Sequence, residues 1–180
     1  MGMPVINSYE FSLKFSVTAT SEDIDAWVER LGAEGCDDAL IGTGRPGRIA
    51  LDFTRRAPSA QVAVLSALAD VRRALPGAKL LEVGPDFVGL SDIAELVGVS
   101  RQNLRKLSLA HAGSFPAAVH DGNPAIWHLA PVLQWLQLRQ GYRIDPNLLE
   151  VAKIAMRLNI AKEAAALSAA VQRRLRPLVA

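Results

Sequence analysis

Apolar and polar residues alternate at the start of the chain: Tyr9, Phe11, Leu13, Phe15 and Val17 are separated by Glu10, Ser12, Lys14 and Ser16. A period of two belongs to a strand with one face on a core and the other in water. The period then changes. Ile24, Trp27, Val28 and Leu31 recur at i, i+3, i+4 and i+7, the spacing of an amphipathic helix; Thr20 and Asp23 form a capping-box-like start and Gly32 the stop. Strands over 38–42 and 48–54 flank the loop Thr43-Gly44-Arg45-Pro46-Gly47, with Ile49, Leu51 and Phe53 inward. A second helix over 59–75 carries the stripe Val64, Leu68, Val71 and Leu75. Pro76-Gly77 ends it, and 79–83 reads as a last strand.

The order βαββαβ over residues 1–85 is the ferredoxin-like pattern, in which helices cover one face of an antiparallel sheet. Phe11, Phe15 and Phe53 fall on the side of their apolar neighbours, so they are expected in the core and not on an RNA-stacking surface. The open face would carry Glu10, Ser12, Lys14, Ser16, Ala50 and Asp52. The glycine-rich loop 42–47 joins two strands and opens no helix, so it reads as turn chemistry and not as a phosphate cradle. This fold hosts many roles and fixes none. Dimerisation or partner docking is the expectation for it, with ligand sensing as the alternative.

Residues 90–107, LSDIAELVGVSRQNLRKL, combine helical spacing with turn chemistry. Ser91 is a good N-cap and Asp92 suits the positive helix end. Ile93, Ala94 and Val97 share one face. Gly98 stands where the first helix must stop, because glycine takes the left-handed backbone without a Cβ penalty. Val99 fills the turn, Ser100 caps a second helix, and Leu104 and Leu107 anchor it. Arg101, Gln102, Asn103, Arg105 and Lys106 are left outside. Arg pairs with guanine edges and Gln or Asn with adenine, so Arg101, Gln102 and Asn103 are the expected base readers. Ser100, Arg105 and Lys106 are expected on the phosphate backbone.

Two apolar runs then flank Asp121-Gly122-Asn123, a tight-turn signal that predicts a two-stranded wing, with His120 and Asn123 near its tip as further backbone contacts. Pro131 suits the first turn of a third helix, where Val132, Trp135 and Leu136 are spaced i, i+3, i+4. Trp127 and Trp135 are expected in the core. No Lys or Arg occurs between Lys106 and Arg139.

On these residues, 88–136 resemble the winged helix-turn-helix shared by MerR-type regulators, excisionases and AlpA-like prophage regulators. The resemblance rests on Ile93, Ala94, Val97, Gly98, Val99, Ser100, Leu104 and Leu107, continued by Phe115-Pro116, Trp127, Val132, Trp135 and Leu136. It implies sequence-specific binding of double-stranded DNA, usually by a dimer or tandem units, in transcription control or recombination. The chain departs from the AlpA-like pattern by adding domains on both sides and by placing Ser108-Leu109-Ala110-His111 where a more basic helix end is common.

A net charge of +2 over 180 residues says little about partners, but its distribution says more. Residues 1–85 hold nine Lys/Arg against eleven Asp/Glu, residues 86–143 five against four, and residues 144–180 six against three. Positive charge thus gathers where a polyanion would be met. Cys36 is the sole cysteine, so an intrachain disulfide is excluded, and a cytoplasmic location and an inert buried thiol are expected. No signal-peptide pattern is visible, and no apolar run approaches the ~20 residues of a membrane span. His111, His120 and His128 lack metal-ligand spacing. Asp37-Asp38, Arg55-Arg56 and Arg72-Arg73 read as solvated. No catalytic set, cofactor or metal site emerges, and the chain is expected not to be an enzyme.

In residues 144–180 Asp145 caps and Pro146 starts a helical segment that meets no further Pro until Pro177. As one helix it would reach roughly 45 Å; one helix or two remain open. Leu148, Val151, Ala155 and Leu158 form a stripe suited to dimerisation, with packing against the chain's own core as the alternative, and a dimer would set two recognition helices about 34 Å apart on an inverted repeat. The fold class is therefore α+β: a ferredoxin-like domain (1–85), a winged helix-turn-helix (86–143) and a C-terminal helical segment (144–180) for oligomerisation. The functional expectation is a DNA-binding transcriptional regulator of bacterial or phage type, a homodimer with a possible protein partner on its N-terminal domain and no membrane association. The alternative is an adaptor or antitoxin-like factor that uses the two helices for docking.

Overall fold

Alternation makes Asn7–Ser16 a strand (β1) whose odd-numbered residues Tyr9, Phe11, Leu13 and Phe15 are all buried. In the computed structural model, which describes residues 5–18 and 24–179, β1 lies between β3 (Arg48–Ala57) and β4 (Lys79–Gly84). β2 (Ala39–Gly42) pairs with the far side of β3, so the order is β2-β3-β1-β4 and every pairing is antiparallel. Phe11 faces Phe53 across β1 and β3, and their rings stack at 5.1 Å. All three phenylalanines expected in the core are there.

Two helices, α1 (Ile24–Ala33) and α2 (Ala60–Ala74), pack against this sheet. Ser59 caps α2 by accepting the Val62 N–H at 3.2 Å. The expected pair Thr20 and Asp23 lies outside the described residues. Only Trp27 and Leu31 of the expected α1 stripe are buried; Ile24 and Val28, about 60° round the helix, stay exposed. Gly32 does not end α1 either. The stop is Gly35, at φ +98°, where the Cys36 N–H reaches the Leu31 carbonyl at 2.9 Å and the Gly35 N–H reaches that of Gly32 at 3.2 Å. That closure needs its left-handed residue four positions after Leu31, which places it at 35.

The solvated reading of the paired charges holds for Asp37, Arg56 and Arg72, which are exposed, and is corrected for Asp38 and Arg55. One step of alternation beyond Phe53 turns Arg55 inward, and only 8% of it is exposed. Its guanidinium grips both Asp38 oxygens at 2.7 and 2.9 Å, and also Asp70 at 2.6 Å, Ser66 at 3.1 Å and the Gly35 carbonyl at 2.6 Å. Burial lowers the Arg55 pKa, but Asp38 and Asp70 override it and hold the group above its ordinary value. Arg73 in turn bonds Glu34 and Asp70. Beside this network the Cys36 thiol is pushed up to about 11, first by burial and then by the Asp70 charge.

A second core forms under α3 (Leu90–Val97), α4 (Arg101–Ala110) and α5 (Leu129–Gln140), with the short strands β5 (Phe87–Val88) and β6 (Trp127–His128) paired beside it. Ile93, Ala94, Leu104, Val132, Leu133, Trp135 and Leu136 fill it. Trp135 is buried as expected, while Trp127 is half-buried against the core.

Asp145 accepts the Asn147 N–H and starts α6 (Pro146–Ala165). This helix is spent inside the protein: Val151 and Ala155 enter the first core, Leu149 and Ala152 the second. It also closes the edge of β4, because the Asn159 amide bonds both the N–H and the carbonyl of Val83, and Lys162 reaches the Leu81 carbonyl. The tail forms two helices and not one. The helix ends at Ala165 and α7 (Ala169–Val179) begins after Ser168, with Pro177 inside it. Ser168 explains the position, since its hydroxyl accepts the Val171 N–H at 3.4 Å. The architecture is mixed α+β. No helix among the described residues is long and apolar enough to cross a membrane.

Candidate nucleic-acid interface

The corner between α3 and α4 is built by three local devices. Gly98 sits at φ +70°, ψ +35°, and the Val99 N–H returns to the Ala94 carbonyl at 2.9 Å. Half-buried Val99 packs on the second core. The Ser100 hydroxyl accepts the Asn103 N–H at 3.2 Å and starts α4. The other end of α3 differs from expectation. Ser91 does not cap; α3 begins at Leu90, and the Asp92 carboxylate accepts the Gly89 N–H at 2.8 Å. The cap moves back because a carboxylate three residues on satisfies that free amide directly.

Leu104 is wholly buried and Leu107 half-buried, so α4 is held by one side. The opposite side presents Arg101, Gln102, Asn103, Arg105 and Lys106, all exposed. None of the three cations has an ion-pair partner among the described residues. The first turn of α4 carries no acid, and its free amides add a positive field at Ser100. Asn103 has a partner that local spacing does not reveal: its Nδ2 donates to the Tyr142 hydroxyl at 3.2 Å. Tyr142 lies between α5 and α6, with its ring against the second core, so only the tertiary fold brings positions 103 and 142 together.

The expected two-stranded wing is reduced. Its arms meet at a single bridge, His120 with Ile126, closed by the Ile126 N–H on the His120 carbonyl at 2.9 Å. The second arm continues as β6, whose partner is β5 ahead of α3. Two causes are visible. Pro116 and Pro124 supply no ladder donors. The first run is diverted inward, with the Phe115 ring edge-on to Trp135 at 5.1 Å and the Pro116 carbonyl accepting the Trp127 indole N–H at 3.1 Å. The tip becomes a loop, 121–125, exposed through Pro124.

That loop stands across an open groove of about 590 Å³ from α4. Arg105, Ser108 and Leu109 line it from α4, Asn123 from the loop, and Ser91 and Asp92 from the start of α3. Of the expected backbone contacts, Arg105 and Asn123 share this groove, Ser100 and Lys106 lie on α4 outside its lining, and exposed His120 stands at the loop's neck. Asp92 and Asp121 also line the groove, and Leu109 is 68% exposed. The surface therefore offers a helix of cations and amides beside a groove of mixed charge. Among the described residues no group of three or more His, Cys, Asp or Glu side chains stands close enough to hold a metal ion. No protein-family model, curated protein or solved structure matches the chain.

Proposed function

We propose that the chain is a sequence-specific double-stranded DNA-binding protein, a transcriptional regulator of bacterial or phage type that inserts α4 into the major groove. In this reading residues 86–143 are a winged helix-turn-helix with its wing shortened to the 121–125 loop, and the four-stranded sheet with α1 and α2 is a ferredoxin-like domain. The strand order β2-β3-β1-β4 supports the latter assignment. One observation carries the function: the capped first turn of α4 holds Arg101, Gln102 and Asn103 in the open, free of acidic neighbours in sequence. Recognition helices meet base edges with their first residues.

The test begins with a duplex selected from a random pool. Arg101→Ala and Asn103→Ala are each expected to weaken binding to that site by ~1–3 kcal/mol while leaving random duplex little changed. Arg105→Ala and Lys106→Ala should weaken both alike and flatten the salt dependence by about one unit of slope each. Equal losses on both duplexes from the Arg101 and Asn103 variants would reject base reading.

A second reading, an adaptor or antitoxin-like factor docking through the same helices, is favoured by exposed Leu109 beside Asp92 and Asp121 in the groove. It predicts a protein that retains no duplex even at low salt, with a stoichiometric protein partner lost on Leu109→Asp.

A further inference from the structure

Helix α7 buries no side chain, the only helix among the described residues of which this is true. Its residues are nonetheless ordered by type. Val171, Leu175 and Leu178 recur at i, i+4 and i+7 and are all exposed, Leu178 by 78%. Arg174 borders that row, and Arg173 and Arg176 lie on the far side of the helix; α7 contains no acid. None of the three guanidiniums is ion-paired among the described residues. The corner before α7 is fixed, since Gln172 Nε2 donates to the carbonyls of Ala164 at 2.7 Å and Leu167 at 3.1 Å. The helix is thus held out from the protein with an apolar row and three free cations.

The complementary surface lies on the open face of the sheet. A groove of about 640 Å³ there runs over β1, β3 and β2 to the side of α3. Leu40, 77% exposed, and Leu96 supply apolar contact. Glu10, Asp37 and Asp52 line it and carry no ion pair among the described residues.

We propose that α7 of one copy seats in this groove of a second copy, and the second copy's α7 in the groove of the first. Charge and polarity select this occupant. Phosphates would meet the arginines but leave the apolar row in water. Two α7 helices paired with each other would cover the apolar rows but offer none of the six guanidiniums a carboxylate, since α7 contains no acid. The acidic groove, with Leu40, Leu96 and Leu148 along it, answers both the apolar row and the cations of the helix. Its own α7 is badly placed to fill it: α6 starts beside the groove, where Leu148 lines it and Asn147 bonds the Ser8 carbonyl, and runs 20 residues, about 30 Å, before the turn into α7. Reciprocal docking is an isologous two-fold contact, closed and self-limiting.

The experiment uses the full chain without DNA, so its outcome does not depend on duplex recognition. Mass is followed by sedimentation equilibrium, with circular dichroism to verify folding. Wild type is expected to be a dimer. Leu175→Asp and, separately, the pair Glu10→Lys with Asp52→Lys should each weaken it roughly 10-fold or more. The decisive arm is a charge exchange. A chain with Arg174→Glu and Arg176→Glu should fail to self-associate, as should the chain with Glu10→Lys and Asp52→Lys, but their mixture should form a heterodimer, because both contacts are then restored. A monomeric wild type overturns the proposal, including one that binds anionic phospholipid vesicles through α7. So does a dimer weakened by Leu175→Asp but indifferent to the groove charges, since α7 would then be meeting its own counterpart.

Discussion

Asn103 has two amide hydrogens, and Tyr142 takes one of them. The residue is exposed, and its other hydrogen and Oδ1 are the donor and acceptor that match N7 and N6 of adenine. Without the hydroxyl the amide is free to turn. Tyr142→Phe keeps the ring against the second core, so it is expected to preserve the fold and to cost ~0.5–1.5 kcal/mol of discrimination between the selected site and random duplex. Competition binding measures this, and the effect should vanish in an Asn103→Ala background. A Tyr142→Phe protein that discriminates as wild type does would leave Asn103 unassisted. Cys36 makes a different prediction at this scale. Its thiol titrates at about 11 when folded against an ordinary 9.0, so the fold disfavours the thiolate. The unfolded chain ionises first, and stability is lost as pH rises from about 9 towards 11. Relative to Cys36→Ala, the wild type should lose on the order of 2 kcal/mol across that window in urea titrations, and nothing below it.

Among elements, Arg55 shows both what the sequence discloses and where it stops. It ties β3 to Asp38 ahead of β2, to the end of α1 through the Gly35 carbonyl, and to α2 through Ser66 and Asp70. Arg55→Ala leaves two carboxylates facing an empty site and should destabilise the fold by ~3–5 kcal/mol, read from the urea midpoint. An unchanged midpoint would show that water replaces the guanidinium without loss. The inward direction of Arg55 was legible, since it continues the row Ile49, Leu51, Phe53; ending the strand at Thr54 hid it. Its partners were not legible, because Asp38 and Asp70 belong to other elements. The same division runs through the interface. Gly98, Ser100 and Leu104 were readable because caps, turns and periodic anchors act over four residues or fewer. Tyr142 against Asn103, and β5 as partner of β6, are contacts across about 40 residues, and no local spacing encodes them. The stripe on α6 was readable as something to be buried, but not what would bury it.

At the scale of the molecule, the two cores are joined by α6 and by one buried polar knot. The Asp86 carboxylate, 1% exposed, stands 2.8 Å from His128 Nδ1 and accepts the Asn159 amide at 2.8 Å. Asn159 also pairs with both backbone groups of Val83. First-core strand, spanning helix and the start of α5 therefore share a single set of hydrogen bonds. Reciprocal docking of α7 would translate into a fixed spacing of two α4 helices only if this joint is rigid within each copy. Asn159→Ala would strand the Val83 N–H and carbonyl and one Asp86 oxygen in the interior, at ~1–3 kcal/mol for each unmet group. The apolar contacts of α6 would remain, so the expected consequence is looser coupling as well as lower stability. Tryptophans report the two halves separately: Trp27 lies in the first core, Trp127 and Trp135 in or against the second. Urea unfolding of Trp27→Phe and of Trp127→Phe with Trp135→Phe should give coincident transitions when Asn159 is present. With Asn159→Ala the two midpoints should separate. If they stay together, Val151, Ala155, Leu149 and Ala152 alone bind the halves into one cooperative unit, and the polar knot contributes stability without setting their alignment.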